Sequence, residues 1–423
     1  MVTVEAEGDV RAAVDAVWRF ESARLIGALV RILGDVGAAE EAAQEAAVAA
    51  LAQWPATGIP ANPAAWLMTI AKRRVMDGFR RAARQDGASA ALARDLEGSL
   101  AADPADAVDH VEDDVLRLMF ICCHPALTTE AQTTLTLKLV AGLSTREIAR
   151  AFLGSEARIA QRIVRAKRTL TEVDAVIEEP GGAERAERLT AVLGVVYLLF
   201  NEGYSATEGA EWMRPPLCDE ALRLGRILTA LVPDDAEVHG LSALMELQAS
   251  RLAARAGPEG RPVLLDDQDR ARWDAGRIRR GLAALAEAER LAGEAPGPYA
   301  LQAEIAACHA RAATPEETDW PRIAALYEQL ARRTGSPVVE LNRAVALGRA
   351  FGPEAGLALA DQLVEHPALS GYHLVPSVRG DLLERVGRRE EAAAEFARAA
   401  RLAGNASERE FLLERSRAAS VEG

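Results

Sequence analysis

The residues best suited to contact another molecule are polar side chains in the segment 156–168. A helix would bring four of them onto one face, because they stand three or four positions apart. They are Arg158, Gln161, Arg162 and Arg165. Guanidinium and amide groups at this spacing can hydrogen-bond base edges in the major groove of DNA and pair with phosphates. The segment therefore predicts a DNA-reading helix or, as the plainer alternative, an arginine-rich face in water.

The residues around this segment supply the rest of a helix-turn-helix. Ser144 with Glu147 three positions later has the sequence of a capping box, which predicts the start of a helix. Gly154 would make the turn between this helix and the next one. Five apolar residues would face inward: Ile148, Ala149, Phe152, Ile159 and Ile163. A helix, a tight turn and a second helix with outward basic residues together favour DNA binding.

A second basic segment lies nearer the N-terminus, in residues 64–84. It contains six lysines or arginines against one acid, Asp77. Helical spacing would place Trp66, Ile70 and Phe79 along one face, which leaves the basic residues exposed to grip a nucleic-acid backbone. These basic residues are Lys72, Arg73, Arg74, Arg80, Arg81 and Arg84.

The sequence supports neither a metal site nor a catalytic site. The cysteines at positions 122, 123, 218 and 308 follow neither a disulfide spacing nor a zinc spacing. We expect Cys122-Cys123-His124 and Cys308-His309 to pack helices, since adjacent residues on a helix point about 100° apart. No phosphate-binding glycine loop, HExxH pattern or nucleophile with a nearby base is evident. No cofactor is expected, and an enzyme is the least supported class of function.

The composition predicts an all-α protein. Apolar residues make up 49 % of the chain and aromatic residues 4 %, which favours helices packed through small residues over aromatic-rich sheets. The net charge of −14 argues on average against nucleic-acid binding, yet the two basic segments remain as local positive surfaces. The chain shows no long apolar run and no signal-peptide pattern, so a cytoplasmic protein without membrane spans is expected.

Helical periodicity and its interruptions predict five parts. They are helices over 10–84, an acidic linker over 85–114, the helix-turn-helix over 115–172, an intermediate helical domain over 183–285 and TPR-like helical repeats over 286–418. Within the first part, helices are expected over 14–33, 38–54 and 63–81. Gly34–Asp35 would separate the first two, Trp54–Pro55 would end the second, and Asn62 would cap the third.

The strongest repeat signal lies in the last predicted helix pair. Tetratricopeptide helix pairs use small residues where helices approach closely and larger residues to fill the gap between them. Matching positions are Gly380, Leu383, Gly387, Ala392, Phe396, Ala399 and Leu402. Upstream, the segment Asn201–Tyr204 has two open interpretations. It either ends a helix with Gly203 in a left-handed conformation or forms the corner of a ligand site.

In this order, the segments resemble the extracytoplasmic-function sigma factors, whose first helical domain binds core RNA polymerase and the −10 promoter element and whose second binds the −35 element. The residues that carry the resemblance are Asp35, Glu40, Glu41, Gln44 and Glu45, then Ala65-Trp66-Leu67, Ile70-Ala71, Asp77 and Arg80-Arg81, then 143–149, Arg162, Arg165, Ala166 and Lys167. The rest of the chain resembles a subgroup with a TPR-like C-terminal extension, on the segments 198–204, 265–273 and 299–310.

The resemblance implies a role for each group of residues. An acidic group would dock on the β′ clamp helices of core polymerase; its members are Asp35, Glu40, Glu41, Gln44 and Glu45. Other parts of the chain would meet the β flap of the polymerase. A −10 group would lie near the separated promoter strand: Trp66, Lys72, Arg73, Arg74, Arg80 and Arg81. A −35 group would read the duplex: Arg158, Gln161, Arg162, Arg165 and Lys167. The family often has asparagine at the position of Arg73, so base-specific contacts depart from the pattern there.

The long C-terminal part admits more than one role. By its covalent attachment and its length it would serve as a built-in regulator in place of a separate anti-sigma protein, with a concave surface for an unknown peptide or small molecule. A different class of function is a TPR-containing helix-turn-helix regulator that acts without core polymerase. That alternative predicts a palindromic operator and DNA binding in the absence of polymerase.

Overall fold

A computed structural model describes residues 2–85, 111–152, 154–175, 181–206, 212–257 and 262–421, with side chains except at 2–13, 20, 78–85, 111–113 and 421. These residues form helices and no strand, apart from one isolated bridge between Ala256 and Pro262, so the all-α prediction is confirmed. In the described part, no helix is both long enough and apolar enough to cross a membrane. The chain divides into two compact units, residues 1–196 and 197–423.

Three helices begin the first unit: α1 (Val2–Leu33), α2 (Val36–Thr57) and α3 (Pro63–Gln85). Gly34 turns the chain between α1 and α2 with a φ of +67°, a conformation that favours glycine. Asp35 then caps α2, because its carboxylate accepts a hydrogen bond from the N–H of Ala38 at 2.7 Å. The predicted cap of α3 is confirmed, since Asn62 Oδ1 accepts from the N–H of Ala65 at 3.0 Å.

The predicted stop of α2 at Trp54–Pro55 is wrong by one turn. The helix continues through Pro55 to Thr57. Trp54 is only 1 % exposed and packs edge-on against Trp66, with ring centroids 5.4 Å apart. A proline near the C-terminus of a helix removes one backbone hydrogen bond where few remain to be lost. We infer that burial of Trp54 outweighs that loss and keeps the last turn helical.

Four further helices follow in this unit: α4 (Val111–Cys122), α5 (Thr129–Leu135, continued by a π-helical turn over Thr136–Val140), α6 (Thr145–Ala151) and α7 (Glu156–Glu172). Most of the predicted acidic linker lies outside the described residues, and its end, Val111–Asp114, belongs to α4. Leu118, Leu135 and Leu137 are completely buried, and Ile148 joins them from α6. This apolar core fixes the position of α7.

The second unit begins within α8 (Gly182–Tyr204), at residue 197, and contains the helices that follow it. They are α9 (Pro215–Leu231), α10 (Ala236–Ala249), α11 (Leu252–Arg255), α12 (Ala275–Ala292), α13 (Pro298–Arg311), α14 (Trp320–Thr334), α15 (Pro337–Phe351), α16 (Pro353–Leu363), α17 (Leu374–Arg385), α18 (Arg389–Leu402) and α19 (Ala406–Val421). Neighbouring helices bury one another's small apolar residues, as in a helical-repeat extension.

The last repeat packs through glycine and alanine, as the sequence predicts. Leu383, Ala392 and Ala399 are buried, and Phe396 is 1 % exposed against the backbone of Gly380. Leu402 departs from the pattern, because it is 39 % exposed.

We expect Gly380→Ala to lower the thermal midpoint of the full chain in a circular-dichroism melt. A Cβ atom at this position would lie 2.8 Å from the ring of Phe396, so the ring must move, at a cost of roughly 1–3 kcal/mol. Gly194→Ala is the matched control, since Gly194 is also helical and a Cβ there meets no atom within 4 Å. Equal midpoints for Gly380→Ala and the unaltered chain would contradict the close approach of α17 and α18.

The left-handed helix end predicted at Gly203 is wrong. Helix α8 runs through Gly203 to Tyr204, and the residues with positive φ do not include this glycine. A Cβ atom at Gly203 would lie 2.7 Å from the backbone nitrogen of Cys218. Glycine is therefore needed here for the close approach of α9 and not for a turn.

The four cysteines are buried and form no disulfide bond. Burial raises the pKa of Cys123 and of Cys218 to about 12 each. Among the described residues, no group of three or more histidine, cysteine or acidic side chains is arranged to hold a metal ion. The cysteines thus lie in the packed interior of their helices.

Candidate polymerase-binding and DNA-binding surfaces

The helix-turn-helix is built as the sequence predicts. The hydroxyl of Ser144 accepts from the N–H of Glu147 at 3.2 Å, and the Glu147 carboxylate accepts from the N–H of Ser144 at 2.8 Å. This reciprocal capping box begins α6. Ser155 caps α7 by accepting from the N–H of Arg158 at 3.3 Å. Ile159 and Ile163, 1 % and 6 % exposed, anchor α7 to the core.

Helix α7 presents most of the predicted −35 group to solvent. Arg158, Gln161 and Arg165 are exposed. Arg162 is half-buried and donates to Glu130 at 2.8 Å. Between these polar residues stands Val164, which is 66 % exposed and which the sequence analysis missed. Apolar side chains at such positions can contact a thymine methyl group, so a search for apolar residues within a polar helix face would have found it.

The predicted −10 group lies along α3. Leu67 and Ala71 are buried, whereas Arg73 and Arg74 are exposed. Lys72 is half-buried, and Arg74 lies 3.9 Å from the carboxylate of Glu45 on α2. Trp66 is half-buried and packs against Trp54. The side chains of Arg80 and Arg81 lie outside those that the structure describes.

The predicted polymerase-binding group on α2 contains both exposed and buried side chains. Glu41, Gln44 and Glu45 are exposed. Glu40 is 3 % exposed and accepts a hydrogen bond from the amide of Gln44 at 2.6 Å. The sequence placed Glu40 with its neighbours on one surface, but the structure separates it from them.

Two lysines from the helix-turn-helix half of the unit hold the buried carboxylate of Glu40. Lys138 Nζ lies 3.6 Å from Glu40 Oε1, and Lys167 forms an ion pair with Oε2. Thr171, one turn beyond Lys167, donates to the carboxylate of Asp35 at 2.9 Å. Residues of the predicted polymerase-binding and −35 groups therefore engage each other in this arrangement, and the sequence analysis missed the partners Lys138 and Thr171.

Further contacts join the two halves of the unit through α1. Arg31 donates to Asp114 at 2.9 Å, and Asp114 is 3 % exposed. Arg19 donates to Glu147 at 2.7 Å. Partial burial raises the pKa of the Glu147 carboxyl, but hydrogen bonds from Ser144 and the charge of Arg19 outweigh it and hold that pKa below its usual value of 4.5. Glu147 thus links the helix-turn-helix cap to α1 in its charged form.

The buried carboxylate of Glu40 depends on its charged partners. A carboxylate taken out of water loses several kcal/mol of solvation, which only well-placed partners can offset. Two ammonium groups and the Gln44 amide supply such partners here. Removing one partner of a buried pair costs about 3–5 kcal/mol, since the other charge stays buried alone. The arrangement is therefore stable while both lysines are in place and is disfavoured when one is lost.

Comparison with known protein families finds matches in three separate parts of the chain. The family sigma-70 region 2 matches residues 21–85, and the family sigma-70, region 4 matches residues 117–170. A family of unknown function (DUF6596) matches residues 188–289.

Two kinds of relatives resemble the chain at different lengths. The uncharacterized protein R00370 of Rhizobium meliloti (strain 1021) is 47 % identical over 390 residues, which cover 92 % of this chain and 91 % of that protein. The probable ECF RNA polymerase sigma factor SigI of Mycobacterium tuberculosis, in strains CDC 1551 / Oshkosh and H37Rv, is 28 % identical over 161 residues. These cover 38 % of this chain and 54 % of SigI, so the chain spans about half the length of that relative.

Region 2 contributes the α2–α3 surface, region 4 contributes the helix-turn-helix, and a long helical part follows both. Because both regions occur in this order and the extension follows them, the chain belongs to the extracytoplasmic-function group of the sigma-70 family, in the subgroup with a C-terminal helical extension.

Proposed function

We propose that the chain binds core RNA polymerase and directs it to promoters by contacts with the −35 and −10 elements. The observation that carries the proposal is α7, which is fixed by a buried apolar face and presents Arg158, Gln161 and Arg165 outward from a region 4 helix-turn-helix. Such residues suit base edges and phosphates in a major groove. The protein would act in the cytoplasm, where polymerase and promoters are found.

Region 2 would supply the polymerase contact and the −10 contact. Glu41, Gln44 and Glu45 offer an exposed acidic and amide surface for the β′ clamp helices, whose basic groups would complement it. On the adjacent helix, Arg73 and Arg74 offer positive charge to the separated −10 strand. Lys72, Trp66, Arg80 and Arg81 would complete that surface, and region 4 would meet the β flap.

In this structure α2 and α7 contact each other through residues that are proposed to bind polymerase and DNA. We call this arrangement the closed form. Glu40, from the proposed polymerase surface, forms an ion pair with Lys167, from the proposed −35 surface. Asp35, also from the polymerase surface, accepts a hydrogen bond from Thr171 on α7. Polymerase that needs these residues can bind only after α2 and α7 separate. The closed form would therefore lower the apparent affinity for polymerase by the fraction of chains that are open.

We propose that the C-terminal extension, with its intermediate domain over 183–285 and TPR-like repeats over 286–418, serves as a built-in regulator. Its support is the covalent link to regions 2 and 4 and the length of the helical-repeat part. Helical-repeat proteins use extended surfaces to bind other molecules, which would let the extension sense a ligand.

The test is to mix the purified full chain with bacterial core RNA polymerase and to score complex formation and run-off transcription from promoters upstream of its own gene. The proposal expects a stable complex and transcripts that depend on both the promoter and the added chain. Core polymerase alone is the control. A folded chain that binds DNA at a palindromic site but never joins core polymerase would instead establish a helix-turn-helix regulator with TPR-like repeats.

A further inference from the structure

Arginines and aromatic rings alternate in the second unit, within the stretch matched by the family of unknown function. The guanidinium of Arg255 lies 3.6 Å from the ring centroid of Tyr204 and 4.7 Å from that of Trp212. Arg251 lies 5.9 Å from Tyr204 and 5.8 Å from Trp273. Arg270 continues the series at 5.0 Å from Trp273. We call this set the arginine–aromatic ladder: Trp212, Arg255, Tyr204, Arg251, Trp273 and Arg270.

In the described part of the chain, the positive charges of the ladder form no ion pair with a carboxylate. Among the described residues, no acidic side chain lies within 4.0 Å of a nitrogen of Arg251, Arg255 or Arg270. Other half-buried arginines of the same unit do have such partners: Arg277 with Asp219, Arg379 with Asp361 and Glu395, and Arg415 with Asp381 and Glu384. Charge that leaves water without a partner is costly, so Arg251 and Arg255 together call for an anion.

The ladder also leaves hydrogen-bond donors unused. A ring stacked on the face of a guanidinium leaves its planar edge, with five N–H donors, available to acceptors. Arg251 donates to Gln248, and Arg255 donates to the carbonyl of Tyr204 at 3.1 Å. The Nε of Arg255 is buried without a hydrogen-bond partner. Two guanidinium edges therefore remain largely free to bind a planar or tetrahedral oxyanion.

Arg270 has a different role, because its donors hold the ladder in place. Its guanidinium donates to the carbonyl of His309 at 2.9 Å and to the hydroxyl of Thr318 at 3.0 Å. It also donates to the carbonyl of Ala312. These bonds fix the loop that carries Trp273 against α13 and α14.

Neutral polar groups next to the arginines are also unsatisfied. Trp273 is 7 % exposed, and its indole N–H has no hydrogen-bond partner. The hydroxyl of Tyr204 is buried, and its interaction with Arg255, which can only donate, leaves the O–H donor of the tyrosine without an acceptor. Nearby His309, 9 % exposed, has its pKa lowered to about 3 by burial and by the charges of Arg251, Arg270 and Arg349. The surroundings of the ladder therefore disfavour a further positive charge, and they offer hydrogen-bond donors to an anion.

We propose that the arginine–aromatic ladder binds a small molecule through a phosphate or carboxylate group held between Arg251 and Arg255, with the indole N–H of Trp273 and the hydroxyl of Tyr204 as neutral donors. The inference concerns binding alone and does not depend on the proposed role in transcription. It assigns a chemical class of ligand to the extension, where the sequence suggested only an unknown peptide or small molecule.

The test is calorimetric titration of the purified full chain with inorganic phosphate, pyrophosphate and citrate, at an ionic strength matched with sodium chloride. We expect saturable binding of at least one of these anions, and the preferred anion distinguishes a phosphate ligand from a carboxylate ligand. Arg255→Gln and Arg251→Gln should each weaken that binding by at least about 10-fold, since each removes a charge-assisted pair of donors. Arg332→Gln is the control, because Arg332 is exposed and already paired with Glu328 at 2.8 Å.

Arg255→Lys keeps the charge but removes the planar fork of donors, so it should bind more weakly than the unaltered chain while it melts at a similar temperature. This variant preserves the test if Arg255→Gln fails to fold. The absence of saturable binding by all three anions would overturn the proposal and leave the ladder as a packing device. Equal affinities for the Arg251, Arg255 and Arg332 variants would also overturn it. Failure of transcription in the polymerase test would not affect either result.

Discussion

A chain whose α2 is cross-linked to α7 is expected to lose both core polymerase binding and promoter-dependent transcription. The cross-link joins Asp35→Cys to Thr171→Cys, two positions whose native side chains hydrogen-bond at 2.9 Å, through a short bifunctional methanethiosulfonate that dithiothreitol cleaves. The lock keeps Glu40 buried against Lys138 and Lys167. Apparent affinity falls with the open fraction, so locking 99 % of the chains should reduce complex formation on the order of 100-fold.

The reagent should react selectively with the two introduced cysteines. All four native cysteines are buried. Burial raises the pKa of Cys123 and of Cys218 to about 12 and that of Cys308 to about 11, so few native thiolates form near neutral pH.

The matched control is the same double variant after dithiothreitol has removed the cross-link. Because Asp35 belongs to the proposed polymerase surface, the unlocked double variant, and not the unaltered chain, is the reference for the lock. Recovery of binding and transcripts on reduction would show that separation of α2 from α7 is required. Equal activity of the locked and reduced forms would mean that polymerase accepts the closed arrangement, which would refute the prediction.

Loss of the outward arginines of α7 is expected to have the second largest effect. Arg158→Ala and Arg165→Ala should each reduce promoter-dependent run-off transcription about 10- to 100-fold, because a specific arginine–base contact contributes about 1–3 kcal/mol. Both side chains are exposed and neither has an ion-pair partner among the described residues. Their removal should leave binding to core polymerase intact, since the proposed clamp-helix contact lies on region 2 and neither arginine is assigned to the β-flap contact of region 4.

Arg168→Ala supplies the matched control on the same helix. Arg168 is 80 % exposed, lies near the C-terminal end of α7 and pairs with Glu172 at 2.7 Å, so its charge is already compensated. Its replacement should change transcription by less than a few-fold. A control variant as defective as Arg165→Ala would indicate general loss of positive charge instead of base reading. The salt dependence of promoter binding separates these cases, because phosphate contacts change its slope.

The local elements of the two sigma regions follow from short stretches of sequence. The spacing of Ser144 and Glu147 predicts a capping box, and Asn62 before Pro63 predicts the cap of α3, because both signals are complete within four residues. The same holds for Gly380 opposite Phe396, where a repeat pattern states which residues must be small. The family itself could be predicted because its motifs lie on single helices.

Tertiary structure decided what becomes of the charged residues. Asp35 and Thr171 are 136 residues apart in the sequence, and Arg19 and Glu147 are 128 apart, so no local pattern links them. The sequence alone therefore assigned Glu40 to an exposed acidic face with its neighbours. Its burial depends on lysines brought to it by folding.

The same reason explains the arginine–aromatic ladder. Tyr204, Arg255 and Trp273 come from three separate segments. Only their packing shows that rings cover the guanidinium faces, while no carboxylate of the described residues pairs with Arg255. The amino-acid sequence by itself determined where most helices begin and which residues carry the charges that the proposed DNA contacts require. Long-range packing decided which charged residues are exposed to solvent and which form ion pairs inside the protein. The reason is that a charge pairs with whichever opposite charge lies next to it in the fold, whatever their separation along the chain.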